Sequence, residues 1–212
     1  MKIHSLILSL ICFMSISCQT KEPVYRIETN LGTIKVKLYE KTPLHRANFE
    51  KLVEEGVYDS LAFHRIIQGF MIQGGDVATG KNPADTSKYD YMVPAEFVPE
   101  YFHKKGALAA ARMGDDVNPE KASSSTQFYI VQGHKFTDEE LFQIEDRFGH
   151  TFPDFQRGMY KMLGGAPHLD GNYTVFGEVT EGLDVVDKIA AVPTDMYDRP
   201  RADVRIIRIV KD

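Results

Sequence analysis

The segment from Phe63 to Asp76 constrains this chain more than any other part of its sequence. It combines an apolar strand pattern with one arginine, Arg65, and it ends in a glycine pair and an aspartate. A half-buried strand normally uses its inward positions for aliphatic packing. A charged side chain such as Arg65 at such a position is therefore unusual and needs a specific explanation. The segment predicts two short strands, about Ala62 to Ile67 and Met71 to Gln73, with Gln68-Gly69-Phe70 between them.

Similar β-prone runs occur on both sides of this segment. Val24 to Asn30 and Thr33 to Tyr39 flank Leu31-Gly32, which predicts a hairpin. The later runs are Ala107 to Ala111, Gln127 to Val131, Thr174 to Val179 and Val204 to Val210. About eight short strands with two helices predict a mainly β fold, a closed eight-stranded antiparallel barrel with a capping helix at each end.

The two capping helices are predicted from their end signals and apolar faces. Thr42 can cap the first helix, Pro43 suits its first position, and Gly56 follows its last turn. The predicted apolar face of this helix consists of Leu44, Ala47, Leu52 and Val53. The second helix, about Gly182 to Ala191, has its predicted apolar face at Leu183, Val186, Ile189 and Ala190.

Residues 135–167 interrupt the succession of strands with two helical patterns. Thr137 to Glu140 forms a capping box, and Phe136 with Leu141 forms a hydrophobic staple. The first helix has a predicted apolar face of Leu141, Ile144 and Phe148. The second runs from about Phe152 to Leu163, with a predicted face of Phe155, Met159 and Met162. We expect a helical hairpin inserted between two barrel strands.

The first residues have the features of an export signal. Lys2 is followed by the apolar run Leu6 to Ile16, which is too short for a membrane span. The run ends in Ser15-Ile16-Ser17-Cys18, which resembles a bacterial lipoprotein cleavage box. This predicts a signal peptide over 1–17, a lipidated Cys18 and a tether over 18–23. The alternatives are an ordinary signal peptide with an incidental Cys18, and lipidation at Cys12.

Composition and charge fit one folded domain over 24–212. The formal net charge is −5, acidic and basic residues are interspersed, and no basic stripe indicates nucleic acid. An apolar fraction of 43% is sufficient for a core. Cleavage would remove Cys12, so the mature chain would have no cysteine pair, and its stability would depend on that core.

Four ordered motifs resemble the cyclophilin family of peptidyl-prolyl isomerases. They are Phe63 to Asp76, Gly106 to Arg112, Thr126 to Ile130 and Leu169 to Gly177. The resemblance covers Val24 to Val210. It implies a cyclophilin-like barrel and peptidyl-prolyl cis-trans isomerase activity, without a cofactor or a metal.

The resemblance also implies the residues of the site. Arg65 corresponds to the catalytic residue. The implied substrate-binding residues are Phe70, Met71, Gln73, Ala111, Arg112, Gln127, Phe128, Tyr129, His168, Leu169 and Tyr173. Either Phe128 or its neighbour Tyr129 is expected at the proline pocket, and Gln73 is expected to hold the flanking peptide.

Four of these positions depart from the family pattern. Tyr129 replaces a phenylalanine and adds a hydroxyl that needs a partner. Arg112 replaces a common asparagine, which predicts a more cationic rim. His168 stands where many members have tryptophan, which bears on cyclosporin sensitivity, and Tyr173 replaces a frequent histidine.

Proline isomerisation requires few chemical groups. Amide resonance opposes rotation with a barrier of ~18–20 kcal/mol, and no covalent bond is made or broken. An apolar slot for the proline ring and a donor to the prolyl nitrogen are therefore sufficient. A guanidinium beside an apolar wall supplies such a donor.

We therefore expect an isomerase, anchored by lipid to a bacterial membrane, that faces the periplasm or the cell surface. Its expected partners are proline-containing unfolded or exported polypeptides, with no nucleic acid, and it is expected to be a monomer. The rival predictions are a binding module that does not catalyse and an anchored structural lipoprotein. The inserted hairpin is either a decoration without a role or an extension of the surface that holds clients.

Overall fold

A computed structural model describes residues 22–80 and 86–212 of the chain. The predicted signal peptide, Cys12, the lipidation site Cys18 and most of the tether lie outside these described residues. Within the two described ranges, every helix is too short or too polar to cross a lipid bilayer.

The described residues form mainly β structure with four α-helices. The strands are β1 (Val24–Thr29), β2 (Gly32–Leu38), β3 (Arg65–Ile67), β4 (Met71–Gly74), β5 (Met92–Val93), β6 (Ala107–Ala110), β7 (Ser123–Ser124), β8 (Phe128–Val131), β9 (Val175–Glu181) and β10 (Ile206–Lys211). The helices are α1 (Pro43–Glu54), α2 (Asp138–Phe148), α3 (Asp154–Met162) and α4 (Leu183–Ala190). The predicted strands and helices are thus present, with ends that differ by a few residues.

Eight of the strands form one curled antiparallel sheet in the order β10-β1-β2-β9-β6-β8-β4-β3, and β5 pairs with β7 separately. The predicted closed barrel is wrong, because the described sheet is an open half-barrel whose edge strands β3 and β10 are not paired as a ladder. A loop occupies the free edge of β3, where the amide of Ile66 donates to the carbonyl of Asp198 at 2.8 Å. One isolated bridge, between Ala62 and Arg205, joins the segments before the two edge strands.

The sheet has a packed face on each side. In β1 and β2, inward residues alternate with more exposed ones, as expected for strands with one buried face. The central strands β6 and β8 are buried on both faces. Because side chains alternate along a strand, Phe128 and Ile130 face the main core, whereas Tyr129 and Val131 belong to a second cluster on the other face.

Helix α1 packs on the main core through a face that matches the predicted one at Leu52 and Val53 but not at Leu44 and Ala47. His45, Phe49 and Leu52 are buried, whereas Leu44 is 49% exposed. Thr42 occupies the N-cap position, but its side chain makes no cap hydrogen bond with any residue that the structure describes. The carboxylate of Glu96 replaces it and accepts hydrogen bonds from the amides of Leu44 and His45, both at 3.0 Å. A loop remote in sequence therefore supplies the cap.

Helices α2 and α3 lie between β8 and β9 in the chain. The predicted capping box is present, since Thr137 accepts from the amide of Glu140 and the Glu140 side chain accepts from the amide of Thr137. The predicted apolar face of α3 is wrong, because Phe155 is 70% exposed and Tyr160 is the fully buried side chain. The two helices pack through a cluster of Phe102, Leu141, Phe152 and Tyr160.

Helix α4 packs on the sheet as predicted, with one exception. Val186, Ile189 and Ala190 are buried, whereas Leu183, at the first position of the helix, is 38% exposed. Helices α1 and α4 both contribute to the main core, and neither contributes to the second cluster. The second face of the sheet is therefore available for a site.

Candidate active site

A cavity of about 250 Å³ lies on the second face of the sheet. It is lined by Arg65, Phe70, Met71, Gln73, Ala111, Arg112, Tyr129, Leu169 and Tyr173. These are nine of the positions at which the sequence predicted catalysis or substrate binding. The other three, Gln127, Phe128 and His168, are not among the lining residues.

Arg65 reaches this cavity from the edge strand β3. It pairs across the ladder with Gln73 on β4, and its side chain is 45% exposed. Its neighbour Ile66 is buried on the opposite face. The sequence suggested an inward core position for this cation. The structure instead places Arg65 beside the cavity, with access to water.

The contacts of Arg65 hold its guanidinium loosely. The Nε atom lies 3.6 Å from a carboxylate oxygen of Asp198, which is itself 43% exposed. Exposed pairs of this kind contribute little to stability. Below the arginine, the Gln73 side-chain amide donates to the Gln127 oxygen at 3.0 Å, so Gln127 supports Gln73 from outside the cavity lining.

Tyr129, and not Phe128, lies at the floor of the cavity. Phe128 is 1% exposed and packs edge-on against Phe49, Tyr58 and Phe63 in the main core. Of the two alternatives that the sequence left open, the strand register thus selects Tyr129. Its ring packs edge-on against Tyr173, with the ring centres 6.1 Å apart.

The hydroxyl of Tyr129 enters a buried hydrogen-bond network. It lies 2.9 Å from Nε2 of His103, whose Nδ1 lies 2.7 Å from a carboxylate oxygen of Asp170. The other oxygen of Asp170 accepts from the hydroxyl of Tyr160 on α3 at 2.5 Å. Burial raises the pKa of Tyr129 well above its usual value, so this hydroxyl stays protonated and can donate to His103.

This network was missed at the level of sequence. The one signal for it was the extra hydroxyl of Tyr129, which predicted a partner without naming it. The partner, His103, is followed by Asp170 and Tyr160, and the last of these belongs to the inserted hairpin. The hairpin is therefore joined to the floor of the cavity by a continuous set of buried polar contacts.

The predicted cationic rim at Arg112 is wrong. The Arg112 side chain is 4% exposed, and its guanidinium donates to the carbonyl of Asn172 at 2.7 Å and to the carboxylate of Asp115 at 2.6 Å. It also lies 4.5 Å from the centre of the Tyr173 ring. Arg112 therefore holds the Tyr173 wall in place, and its charge is compensated.

His168 lies behind the cavity wall in a 3₁₀ turn, Pro167–Leu169. Its ring packs on Phe70 with the centres 5.3 Å apart. Burial, and then the nearby His103, lower the pKa of His168, so its imidazole is neutral at pH 7. His168 thus supports Phe70 as an apolar wall.

The arrangement is suited to binding a small apolar ring under a hydrogen-bond donor. Phe70, Met71 and Leu169 supply apolar surface, and the guanidinium of Arg65 stands beside it. A donor aimed at a site from which the ligand excludes water is stronger there than in water. The geometry therefore fits a reaction in which one nitrogen or oxygen of a bound ring gains electron density.

Comparison with known proteins agrees with this geometry. The family model for the cyclophilin type peptidyl-prolyl cis-trans isomerase/CLD matches residues 24–211. The chain is 39% identical over 189 residues to a putative bifunctional phosphatase/peptidyl-prolyl cis-trans isomerase of Streptococcus pyogenes, covering 87% of this chain but 37% of that one. It is 35% identical over 182 residues to a putative peptidyl-prolyl cis-trans isomerase of Staphylococcus saprophyticus, covering 85% of this chain and 87% of the other.

A solved structure has the same fold. It is the cyclophilin type peptidyl-prolyl cis-trans isomerase of Cryptosporidium parvum, crystallised in the presence of the dipeptide Ala-Pro. The likeness has a TM-score of 0.63 and 26% identity, and it covers 89% of this chain and 98% of the other.

Proposed function

The chain belongs to the cyclophilin-type peptidyl-prolyl cis-trans isomerase family, and on this premise we propose that it accelerates X-Pro bond rotation in exported proteins, with Arg65 as the catalytic residue. The observation that supports this proposal most strongly is the cavity that brings Arg65 together with Met71, Tyr129 and Leu169. Apolar surface beside a guanidinium whose donors are available to a ligand is what this reaction needs.

The proposed role of Arg65 is to stabilise the twisted amide. As the X-Pro bond rotates, resonance is lost and the prolyl nitrogen recovers a lone pair, which can accept a hydrogen bond. The guanidinium cannot lose its proton and offers several donors, so it can make that bond without a proton-transfer step. Because the bond exists in the transition state and not in the planar amide, it lowers the barrier.

The energy required is within the reach of such a site. An acceleration of ~10⁵-fold corresponds to about 7 kcal/mol of preferential binding to the transition state. The Arg65 side chain is 45% exposed in the free protein, and a bound polypeptide would remove much of the water around it. A charged hydrogen bond strengthens as water is excluded, and the fitted proline ring supplies the remainder.

A proline-peptide assay tests the catalytic proposal against its rival, a module that binds proline segments without turnover. The full chain is expected to speed cis-trans exchange of an Ala-Pro peptide in proportion to enzyme concentration. It is also expected to speed a refolding reaction that is limited by proline isomerisation. Binding of the peptide with no change in its exchange rate would favour the binding module and contradict the proposal.

We further propose that the protein is held at a bacterial membrane by lipid on Cys18 and faces the periplasm or the cell surface. The support is in the sequence alone: the apolar run Leu6 to Ile16 and the small residues before Cys18. Several acyl chains, at about 0.8 kcal/mol per buried CH₂, would anchor the chain firmly.

Mass spectrometry of the mature N-terminus tests the anchor. The expected result is a chain that begins at an acylated Cys18, while Cys18→Ser should remove the lipid and release the protein from the membrane fraction. Cys12→Ser serves as the matched control and should leave the lipid in place. An unmodified N-terminus at another residue would contradict the anchor without affecting the isomerase.

A further inference from the structure

We propose that a second cavity, next to the proline site, binds a large apolar side chain of the same polypeptide client. The inference rests on the proposed function, since it assigns a sequence preference to the substrate of that site. It also gives the inserted hairpin a role in client binding.

The second cavity has a volume of about 260 Å³ and lies between three parts of the chain. One wall is the segment 97–102, which contributes Phe97 and Tyr101. The inserted hairpin supplies the second wall through Phe152 and Pro153, before and at the start of α3. The third wall is the segment that ends at Tyr173.

Tyr173 lines both cavities, and this continuity identifies the occupant. One side of the second cavity and one side of the proline cavity are formed by the same residue. The ring of Tyr173 is fixed by the Arg112 guanidinium at 4.5 Å and by Tyr129. A polypeptide with its proline beside Tyr129 would pass Tyr173 and could present a neighbouring side chain to the second cavity.

The lining indicates an uncharged, apolar occupant. Aromatic rings and prolines dominate it, and Asp170 is the one carboxylate among the described lining residues. Both oxygens of Asp170 are already engaged, one with His103 and the other with Tyr160. This leaves Asp170 unsuited to pair with a charged client residue, so the walls favour aromatic or long aliphatic side chains.

The size of the cavity points to one side chain. A cavity of about 150 Å³ lined by apolar residues can hold a benzene ring, so this one has room for a phenylalanine, tyrosine, leucine or methionine. It is smaller than the ~300–1,000 Å³ of sites for drug-sized ligands. The cavity is therefore suited to a residue of a chain that is already bound next to it.

The walls are held in place before any client binds. The Gln156 side-chain amide on α3 donates to the carbonyl of Pro99 at 2.7 Å, which joins the hairpin to the segment 97–102. Tyr160 packs edge-on against both Phe102 and Phe152, with ring centres 5.4 Å apart in each case. Little ordering should be needed on binding, which favours affinity.

Calorimetric titration with a peptide series tests this proposal. Each peptide contains Ala-Pro and carries one phenylalanine, moved through successive positions before and after the proline, with alanine elsewhere. We expect one position to bind the full chain about ten-fold more tightly than the all-alanine peptide. Alanine-only peptides report on the proline site alone.

Two variants locate the effect in the second cavity. Phe97→Ala removes a wall residue that is 41% exposed, and Thr151→Arg places a charge at the exposed mouth. Both should abolish the preference for phenylalanine and leave binding and turnover of the all-alanine peptide unchanged. Phe142→Ala is the matched control, since Phe142 is 66% exposed and does not line the cavity.

The outcomes separate this inference from the proposed function. Equal affinity for every peptide, or equal losses in Phe97→Ala and Phe142→Ala, would overturn the second site even if the enzyme is active. Absence of turnover with the all-alanine peptide would overturn the catalytic proposal. The phenylalanine preference is measured as binding affinity, so it tests the second cavity even if the protein shows no turnover.

Discussion

Arg65 lies on an edge strand, and this position lets its guanidinium meet both water and the cavity that we propose as the proline site. An arginine in the main core would need a buried partner, which would compete with the substrate for its donors. The partner that is present, Asp198, is 3.6 Å away and has a side chain that is 43% exposed. The contact is close enough to orient the side chain and weak enough to leave donors for the substrate.

This arrangement predicts a positioning role for Asp198. Asp198→Asn removes the charge, and asparagine suits the local backbone, which has a φ of 63°. We expect kcat/KM for an Ala-Pro peptide to fall about three- to ten-fold, mainly through kcat, because Arg65 is less well oriented. The unfolding midpoint should change little, since an exposed pair contributes about 0–1 kcal/mol.

The matched control for this variant is Asp203→Asn. Asp203 pairs with Arg205 and is not among the residues that line the cavity. It should leave kcat and KM unchanged. Full activity in Asp198→Asn would show that Arg65 needs no carboxylate to act.

For individual residues, the sequence predicted which positions lie at the site better than it predicted the contacts that each side chain makes there. The resemblance implied that Arg65 and either Phe128 or Tyr129 lie at one site, and the pairing of β3 with β4 and of β4 with β8 brings Arg65 and Tyr129 together there. The partner of Tyr129 could not be predicted, since His103 lies 26 positions away and reaches it through a loop. The burial of Arg112 depends on Asp115 and Asn172, whose backbone positions no local pattern specifies.

Among the elements, α1 is stabilised by a residue outside it. Glu96 accepts from two amides at the start of α1, and one of its oxygens lies 2.7 Å from Nδ1 of His45. Glu96 is in turn positioned by its own amide, which donates to the hydroxyl of Thr174 at 3.0 Å. This cap ties the loop before β6 to the core helix.

This cap predicts opposite effects for two substitutions. Glu96→Gln offers one acceptor where two are needed, so we expect the free energy of unfolding to fall by about 1–3 kcal/mol. Thr42→Val removes a buried hydroxyl that lacks a partner among the described residues, and should leave stability unchanged or slightly raised. Urea denaturation measures both. A larger loss in Thr42→Val than in Glu96→Gln would contradict the assignment of the cap.

Local sequence patterns predicted which segments form strands and which form helices. They did not predict which of these elements pair or pack with each other. The β-prone runs around Leu31-Gly32 predicted β1 and β2, and end signals predicted α2, because these depend on neighbours in sequence. Closure of the barrel was predicted wrongly, since nothing in β3 indicates that a loop at Asp198 takes its free edge. The face of α3 was also missed, because Tyr160 is buried through contacts with Phe102, Phe152 and Asp170, all of which lie outside the helix.

For the molecule as a whole, three histidines are held neutral by the fold. Burial lowers the pKa of His45, His64 and His168, and for His45 this outweighs the opposing effect of Glu96. In the unfolded chain these three histidines take up protons near pH 6.5, whereas in the folded chain they do so only at a lower pH. Acid therefore favours unfolding, and stability that is complete above about pH 6.5 is lost as the pH falls below it.

The expected pH dependence can be measured by urea denaturation between pH 7 and pH 5. Each neutral histidine should reduce the free energy of unfolding by up to about 1.4 kcal/mol per pH unit below pH 6.5. Burial raises the pKa of the Glu178 carboxyl, but Lys104 and Lys37 outweigh it and hold that pKa below its usual value, so its contribution is lost only below about pH 4.5.

Two variants test whether His45 is responsible for the change in the free energy of unfolding with pH. His45→Gln should be less stable at pH 7 but should show a shallower decline towards pH 5. His134→Gln, at an exposed position, should keep the slope of the unaltered chain. A slope that is independent of His45 would contradict the neutral buried imidazole.

If the Arg65 guanidinium stabilises the twisted X-Pro amide, Arg65 variants should change the rate at which the protein exchanges the cis and trans forms of an Ala-Pro peptide. We predict that Arg65→Ala lowers kcat by about 10²–10³-fold with little change in peptide affinity, because the contact is made mainly in the transition state. Arg65→Lys should recover part of the rate, since an ammonium supplies charge without the planar fork. An unchanged kcat in Arg65→Ala would contradict this role of Arg65.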